Sequence, residues 1–405
     1  MTPGEGARAA AETALRDSYG RLLALVTRRT RDIAAAEDAL SDAFAAALRA
    51  WPDRGIPDRP EAWLLTAARR AAGAQDRRGR TARAAQDTLT MIETLGRQPP
   101  DDPFPDDRLR LLFTCAHPAI DPAARTPLML QTVLGLDAAR IAAAFATSAA
   151  AMSQRLVRAK TRIRDAGIPF STPEPPDLPD RLGDVLAAIY AAFGTGWDAL
   201  GGAEDAGHPL TEEAIWLTRL TIHLLPDEPE PLGLLSLMLH ATARRAARRD
   251  ASGAYVPLRD QDRALWDTAM IAEAEALLTR AAAARRFGRF QTEAAIQSLH
   301  AATPRGARPD ARALTALYDT LALHHPALGV LVARAVAHGD RDGPAAGLRL
   351  LDAIAPERAA GYQPYWAARL SLARAAGQDA TADMARRRAM ALTADPAVAA
   401  WLANR

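Results

Sequence analysis

Cys115 and His117 stand two positions apart, and a thiol beside an imidazole has the composition of a nucleophile and its base. They fall inside LLFTCAHPAI, an apolar run in which a cysteine acts as a small hydrophobe. The pair His324 and His325 has no HExxH spacing around it, no Cys/His cluster has metal-ligand spacing, and no glycine-rich phosphate loop follows a strand. No covalent chemistry, cofactor or metal is therefore expected. What remains is guanidinium chemistry. Arg155, Arg158 and Arg162 recur at helical spacing beside Ser153 and Gln154, and such a row can meet phosphates and bond guanine edges bidentately.

Those side chains need a helix that packs on one side only. Residues 126–165, TPLMLQTVLGLDAARIAAAFATSAAAMSQRLVRAKTRIRD, supply it. A first helix ends at Gly135, a short second runs from Asp137 to Phe145, and Thr147 or Ser148 caps a third. In the third, Met152, Leu156, Ala159 and Ile163 fall on one stripe, with the arginines on its flank. Three short helices with tight turns predict a helix-turn-helix whose last helix enters the major groove, with Ser153, Gln154 and Arg158 as base readers.

At 405 residues the chain exceeds one hydrophobic core. Few stretches alternate as a half-buried strand would, so the fold class is all-α. The proline-rich acidic stretches GRQPPDDPFPDD and PFSTPEPPDLP block helix continuation and read as linkers. The division is a block over 10–95, a linker over 96–107, a block over 108–168, a linker over 169–178 and a block over 179–405. Residues 1–170 carry about +5 and the remainder about −3, so the basic excess lies with the DNA-directed half. Lys160 is the single lysine. One cysteine excludes an internal disulfide and fits a reducing cytoplasm, and no window is apolar enough to span a membrane.

In the third block, helices of roughly 12–18 residues recur with breaks at Gly339, Pro344, Pro356 and Gly377, the rhythm of an α-solenoid. Gly377, Ala382, Ala389 and Pro396 have the spacing of a tetratricopeptide-like hairpin, with Arg386 where an aromatic is usual. Asp260, Gln261, Asp262 and Arg263 with Trp266 form its densest polar cluster. They either line a groove for a peptide, protein or small-molecule signal or cap a helix start.

Two N-terminal segments carry a resemblance. AAEDALSDAFAAALRAW followed by PEAWLLTAARR resembles region 2 of the sigma-70 superfamily, and residues 126–165 resemble its region 4. Their order, joined by an acidic proline-rich linker, resembles an extracytoplasmic-function (ECF) sigma factor. The segments RLRLLFTCAHPAI, RAKTRIRDAGIPF, LRDQDRALWD, FQTEAAIQSLHAA and LYDTL resemble the subgroup with a C-terminal tetratricopeptide-like extension.

The resemblance implies that Glu37, Asp38, Ser41, Asp42 and Phe44 dock on core RNA polymerase. It implies that Trp63 sits in the core of a helix opening the promoter −10 element. Arg69, Arg70, Arg77 and Arg78 would then lie near the melted strand, with the loop Trp51–Arg59 as the wall of a base pocket. Region 4 would read the −35 element. The chain departs from the family at Arg70–Arg78, where Gly73 and its neighbours replace a usual Asn and Asp, and at Gly194–Trp197 and Ala333. Two rival readings are a scaffold or sensor with a degenerate sigma-like half, and a helix-turn-helix repressor.

Overall fold

A computed structural model describes residues 3–75, 106–145, 147–170, 175–199, 208–304 and 307–404. The fold is all-α. Among the described residues the only β pairing is an isolated bridge between Arg249 and Tyr255. The chain forms two compact units, residues 1–224 and 225–405.

The first unit opens with α1 (Pro3–Thr30), α2 (Ile33–Arg54) and α3 (Pro60–Gln75), packed on one another. Arg31 adopts positive φ and turns the chain, and Asp32 then caps α2 by accepting from Ala34 N at 2.9 Å and Ala35 N at 3.2 Å. The stripe Ile33, Ala36, Leu40, Ala43, Ala47 and Trp51 is buried, as helical periodicity demands. Gly55 ends α2 at φ 83°, and Pro60 opens α3 where its missing N–H costs nothing.

The next helices are α4 (Asp107–Cys115), α5 (Pro122–Leu134), α6 (Ala138–Ala144) and α7 (Ala149–Asp165). Each begins at a side-chain cap: Asp106, Asp121, Asp137 and Ser148. Of the two residues offered for the last cap it is Ser148, whose Oγ accepts from Ala151 N. Gly135 closes α5 in the left-handed region at φ 65°. Helices α5 to α7 are the expected helix-turn-helix, with Met152, Leu156, Ala159 and Ile163 buried.

Helices α8 (Leu178–Ala199) and α9 (His208–Leu224) complete the unit, α8 lying against α4 and α5. Arg125 pairs with Asp184 at 2.7 Å, Arg108 pairs with Glu213, and the Arg108 guanidinium stands 4.0 Å over the Trp216 ring. The extension's first helix therefore packs on α4 and on α5 of the helix-turn-helix, and its second on α8 and α4. Most of the first linker lies outside the described residues, but its end does structural work, since Asp106 is the α4 cap.

The second unit stacks α10 (Pro229–Ala243), α11 (Thr268–Ala283), α12 (Arg289–Ala302), α13 (Ala311–His324), α14 (Leu328–Asp342), α15 (Pro344–Asp352), the single turn α16 (Pro356–Ala359), α17 (Gln363–Ala375), α18 (Asp379–Leu392) and α19 (Pro396–Ala403). Pro344, Pro356 and Gly377 mark breaks as expected. Gly339 does not. It is buried inside α14, where a Cβ would sit 2.4 Å from Leu372, and the break falls at Gly343 with φ 95°. Ala382 and Ala389 pack with Leu370, Ala373, Ala385 and Leu402. Between α10 and α11 the expected helical rhythm fails, and residues 244–267 form three 3-10 turns.

Candidate polymerase and nucleic-acid surfaces

On α2 the acidic residues divide by environment. Asp38, Ser41 and Asp42 are exposed and Phe44 is half-buried. Glu37 is turned inward and bonds Lys160 Nζ of α7 at 2.5 Å. Burial raises the Glu37 carboxyl above its ordinary range, Lys160 pulls it back, and Asp38 and Asp32 push it further up. Tyr19 of α1, next to it, is also raised, by burial first and then by Glu37.

Two of the residues assigned to the −10 element stand elsewhere than expected. Trp63 is only half-buried and meets Trp51 edge-on, with ring centroids 5.6 Å apart. Arg69 is buried, and its guanidinium is lowered by burial and then by Arg29 and Arg28, so it is packed inside rather than offered to a strand. Arg70 is exposed. Arg77 and Arg78 lie outside the described residues. Beside α3 a cavity of about 470 Å³ is lined by Thr13, Arg21, Asp58, Arg59 and Glu61 among others. Its loop side is the Asp58–Pro60 end of the connection; the Trp51–Pro57 part of the expected wall does not line it. At Gly73 a Cβ would meet nothing within 4 Å, so packing does not require the glycine.

On α7 the three arginines do not share one role. Arg158, Ser153 and Gln154 are exposed, and with them stands Val157, 59% exposed, which the charge pattern passed over. Arg155 donates from a terminal nitrogen to Ala123 O at 3.5 Å, and Arg162 donates from Nε to Ala119 O at 3.2 Å. Both are tied along one flank to the chain around the start of α5. Helical spacing puts Gln154, Val157 and Arg158 opposite the buried stripe, so the outward row is one of mixed polarity. A valine there would meet a thymine methyl rather than a phosphate.

Cys115 is fully buried, bonded to Thr132 Oγ1 at 3.6 Å, and burial pushes its thiol up to about 12. His117 instead accepts from Ala119 N through Nδ1. Cys115 is a core residue. Among the described residues no group of three or more His, Cys, Asp and Glu could hold a metal, and no helix is long and apolar enough to cross a membrane.

In the second unit, Trp266 is buried and Arg263 lies over it at 4.7 Å while donating to Ala301 O and His300 O at the end of α12. Asp262 caps the turn 263–265 and Asp260 pairs with Arg259, both exposed, while buried Gln261 donates to Val256 O. The five residues thus split between a buried stack and an exposed turn. Spacing did not reveal Arg244, whose guanidinium also lies near the Trp266 ring at 5.9 Å, donates to Gln297 Oε1 at 2.6 Å, and is lowered by burial to about 10.

His300 sits in the same neighbourhood and is lowered to about 4, first by burial and then by Arg244. The unfolded chain takes up that proton near 6.5, whereas the folded chain resists until about 4. Stability is therefore lost as pH falls through that window. Urea midpoints recorded by circular dichroism should fall between pH 7 and 4, with a shallower slope in His300→Leu; an identical slope would exclude His300 as the source.

Residues 15–81 match the Sigma-70 region 2 family. Residues 181–282 match a family of unknown function (DUF6596). An uncharacterised protein of Rhizobium meliloti (strain 1021) is 38% identical over 397 residues, covering 96% of this chain and 94% of that protein. The chain therefore carries a sigma-70 region 2 segment and is a full-length relative of that uncharacterised protein. No solved structure matches it. The region 2 match covers most of α1 and all of α2 and α3, and so includes the acidic face of α2, the Arg21 and Asp58–Ala62 side of the cavity beside α3, and Arg77 and Arg78. The DUF6596 match begins on α8, the helix that packs against α4 and α5.

Proposed function

We propose that this chain is an ECF-type sigma factor that binds core RNA polymerase, recognises the promoter −10 and −35 elements and initiates transcription in the cytoplasm. The acidic outer face of α2 docks on a basic surface of polymerase, where opposite charges steer and orient the encounter. The cavity beside α3 receives a base flipped from the −10 element, offsetting the few kcal/mol that unstacking costs. Helix α7 enters the −35 major groove with Ser153, Gln154, Val157 and Arg158 outermost. The tetratricopeptide-like extension modulates this activity in response to a peptide, protein or small-molecule signal. The chain contributes no covalent step. The observation that carries this reading is the region 2 match over α1–α3, on the same helices that present Asp38, Ser41 and Asp42 outward.

Run-off transcription with core polymerase tests it. The wild type should give a promoter-dependent product. The double reversal Asp38→Arg, Asp42→Arg should weaken core binding about a hundredfold, the scale of losing two to three kcal/mol of charge complementarity. Tight duplex binding without polymerase would favour a repressor. Core binding indifferent to the double reversal would remove α2 from the docking surface.

A further inference from the structure

In the second unit two arginines converge on one indole. The Arg263 guanidinium lies 4.7 Å from the centroid of the Trp266 ring and that of Arg244 lies 5.9 Å from it. Trp266 is buried, and its Nε1 is shut away from solvent without a hydrogen-bond partner. Among the described residues neither guanidinium is paired with a carboxylate.

The two arginines differ in what accounts for them. Arg263 spends one terminal nitrogen on the Ala301 carbonyl at 2.7 Å and the other on that of His300 at 3.0 Å. These carbonyls lie in the last turn of α12, where a cation meets the negative end of the helix dipole, so Arg263 is a helix cap. Arg244 has no such account. Its Nη2 donates to the neutral side-chain oxygen of Gln297 at 2.6 Å, and the charge acting on it is that of Arg248, a second cation. The neighbouring imidazoles do not compensate. His300 is lowered by burial and then by Arg244, and His240 is lowered by burial, with Glu275 opposing and Arg244 reinforcing, so both rings are neutral at pH 7. A half-buried cation without a counter-charge is costly unless a partner supplies one.

We infer that Arg244 and Trp266 form a binding site for a small organic carboxylate, which pairs with the Arg244 guanidinium. The inference rests on the proposed signal response of the extension only in making this ligand the signal; the site itself does not require the sigma activity.

Charge and access select the ligand. Among the described residues Arg244 commits one nitrogen of its fork, and the others match a single carboxylate, which can accept from a guanidinium bidentately. A phosphate monoester carries about −1.5 to −2 at pH 7 and calls for a second unspent cation. Arg263 is not that cation, because both its terminal nitrogens are committed. Arg244, Gln297 and His300 are half-buried, so a small group reaches the guanidinium where a folded protein surface does not. Leu265, next to Trp266 in the turn 263–265, is 51% exposed and offers apolar surface to a carbon chain.

The test titrates the full chain at pH 7 with butyrate, inorganic phosphate or chloride at one ionic strength. The Trp266 indole N–H is followed by nuclear magnetic resonance and assigned through Trp266→Phe. Butyrate should move this resonance saturably, and chloride should not. Arg244→Gln, checked for helicity by circular dichroism, should weaken the butyrate response about tenfold or more, the scale of losing one charge-assisted hydrogen bond. Arg387→Gln, at an exposed arginine of α18, should leave it unchanged. Gln297→Glu supplies the carboxylate from within the chain and should both abolish the response and raise the melting temperature. If Arg244→Gln has lost helicity, Gln297→Glu decides in its place. The inference is overturned by the absence of a saturable butyrate response, or by a response that survives in folded Arg244→Gln or in Gln297→Glu. It is equally overturned if Arg387→Gln loses the response, if phosphate binds more tightly than butyrate, or if Gln297→Glu melts below the wild type. Polymerase takes no part in the titration, so a chain that binds butyrate yet fails in run-off transcription loses the sigma reading and keeps the site.

Discussion

Gly20→Val is expected to lower the melting temperature by about 6–12 °C, the shift that about 3 kcal/mol produces in a unit of this size. A Cβ at Gly20 would lie 1.8 Å from the Val133 carbonyl oxygen and 2.7 Å from its carbon. Both are backbone atoms of α5, so no rotamer change relieves the overlap and α1 must shift as a body. Overpacking a fitted contact costs about 1–3 kcal/mol, and valine's two further methyls place this site at the upper end. Gly73→Ala is the matched control. It also lies in a helix of the first unit, its Cβ would meet nothing within 4 Å, and it should gain about 0.5–1 kcal/mol from the better helix former. Equal melting temperatures for Gly20→Val and wild type would mean that α1 is not seated on α5 in solution.

In the second unit the largest effect is expected at Glu230. Helix α12 starts after Gly288, which has no side chain to cap it. Glu230, from the first turn of α10, supplies the missing acceptor: its carboxylate receives Phe290 N at 3.0 Å, and Gln291 N and Gln291 Nε2 at 3.2 Å each. The negative charge also lies at the positive end of the α12 dipole. Glu230→Ala takes this acceptor from the two backbone donors, while Gln291 Nε2 keeps the Arg286 carbonyl at 2.8 Å, and should cost about 2–4 kcal/mol. Glu230→Gln, which keeps an oxygen and loses the charge, should cost less than half as much. Urea titration of both variants checks the order, and an alanine variant no weaker than the glutamine one would show that the cap adds nothing.

Much of this organisation can be read from local pattern. The α7 stripe, the Gly135 stop and the Ser148 cap follow from side-chain period and backbone preference, which act within a few residues. The acidic face of α2 was legible for the same reason. What escaped was set by partners distant in sequence. Periodicity places Arg69 next to a buried face but cannot tell that Arg28 and Arg29 stand beside it. It aligns Arg155 and Arg162 with Arg158 but does not disclose the carbonyls of Ala119 and Ala123 on their flank. Gly20 reads as an ordinary helix residue until α5 is brought against it, and Glu230 caps a helix that begins almost sixty positions later. Gly339 misled because a glycine that admits Leu372 looks, in sequence, like a glycine that ends a helix.

The anchored arginines of α7 also bear on the entropy of the proposed DNA association. A free arginine gives up about 2 kcal/mol of rotamer freedom when fixed. Arg155 and Arg162 each spend one donor on a carbonyl of their own domain and keep the remaining nitrogens of the fork available. Much of that ordering is already complete before a duplex arrives, so phosphates alongside α7 would meet preorganised cations, while Arg158, still exposed, bears its immobilisation at the moment of contact. The two flank arginines would then set the helix's register on the backbone at small entropic loss, leaving the cost of discrimination to the outward row.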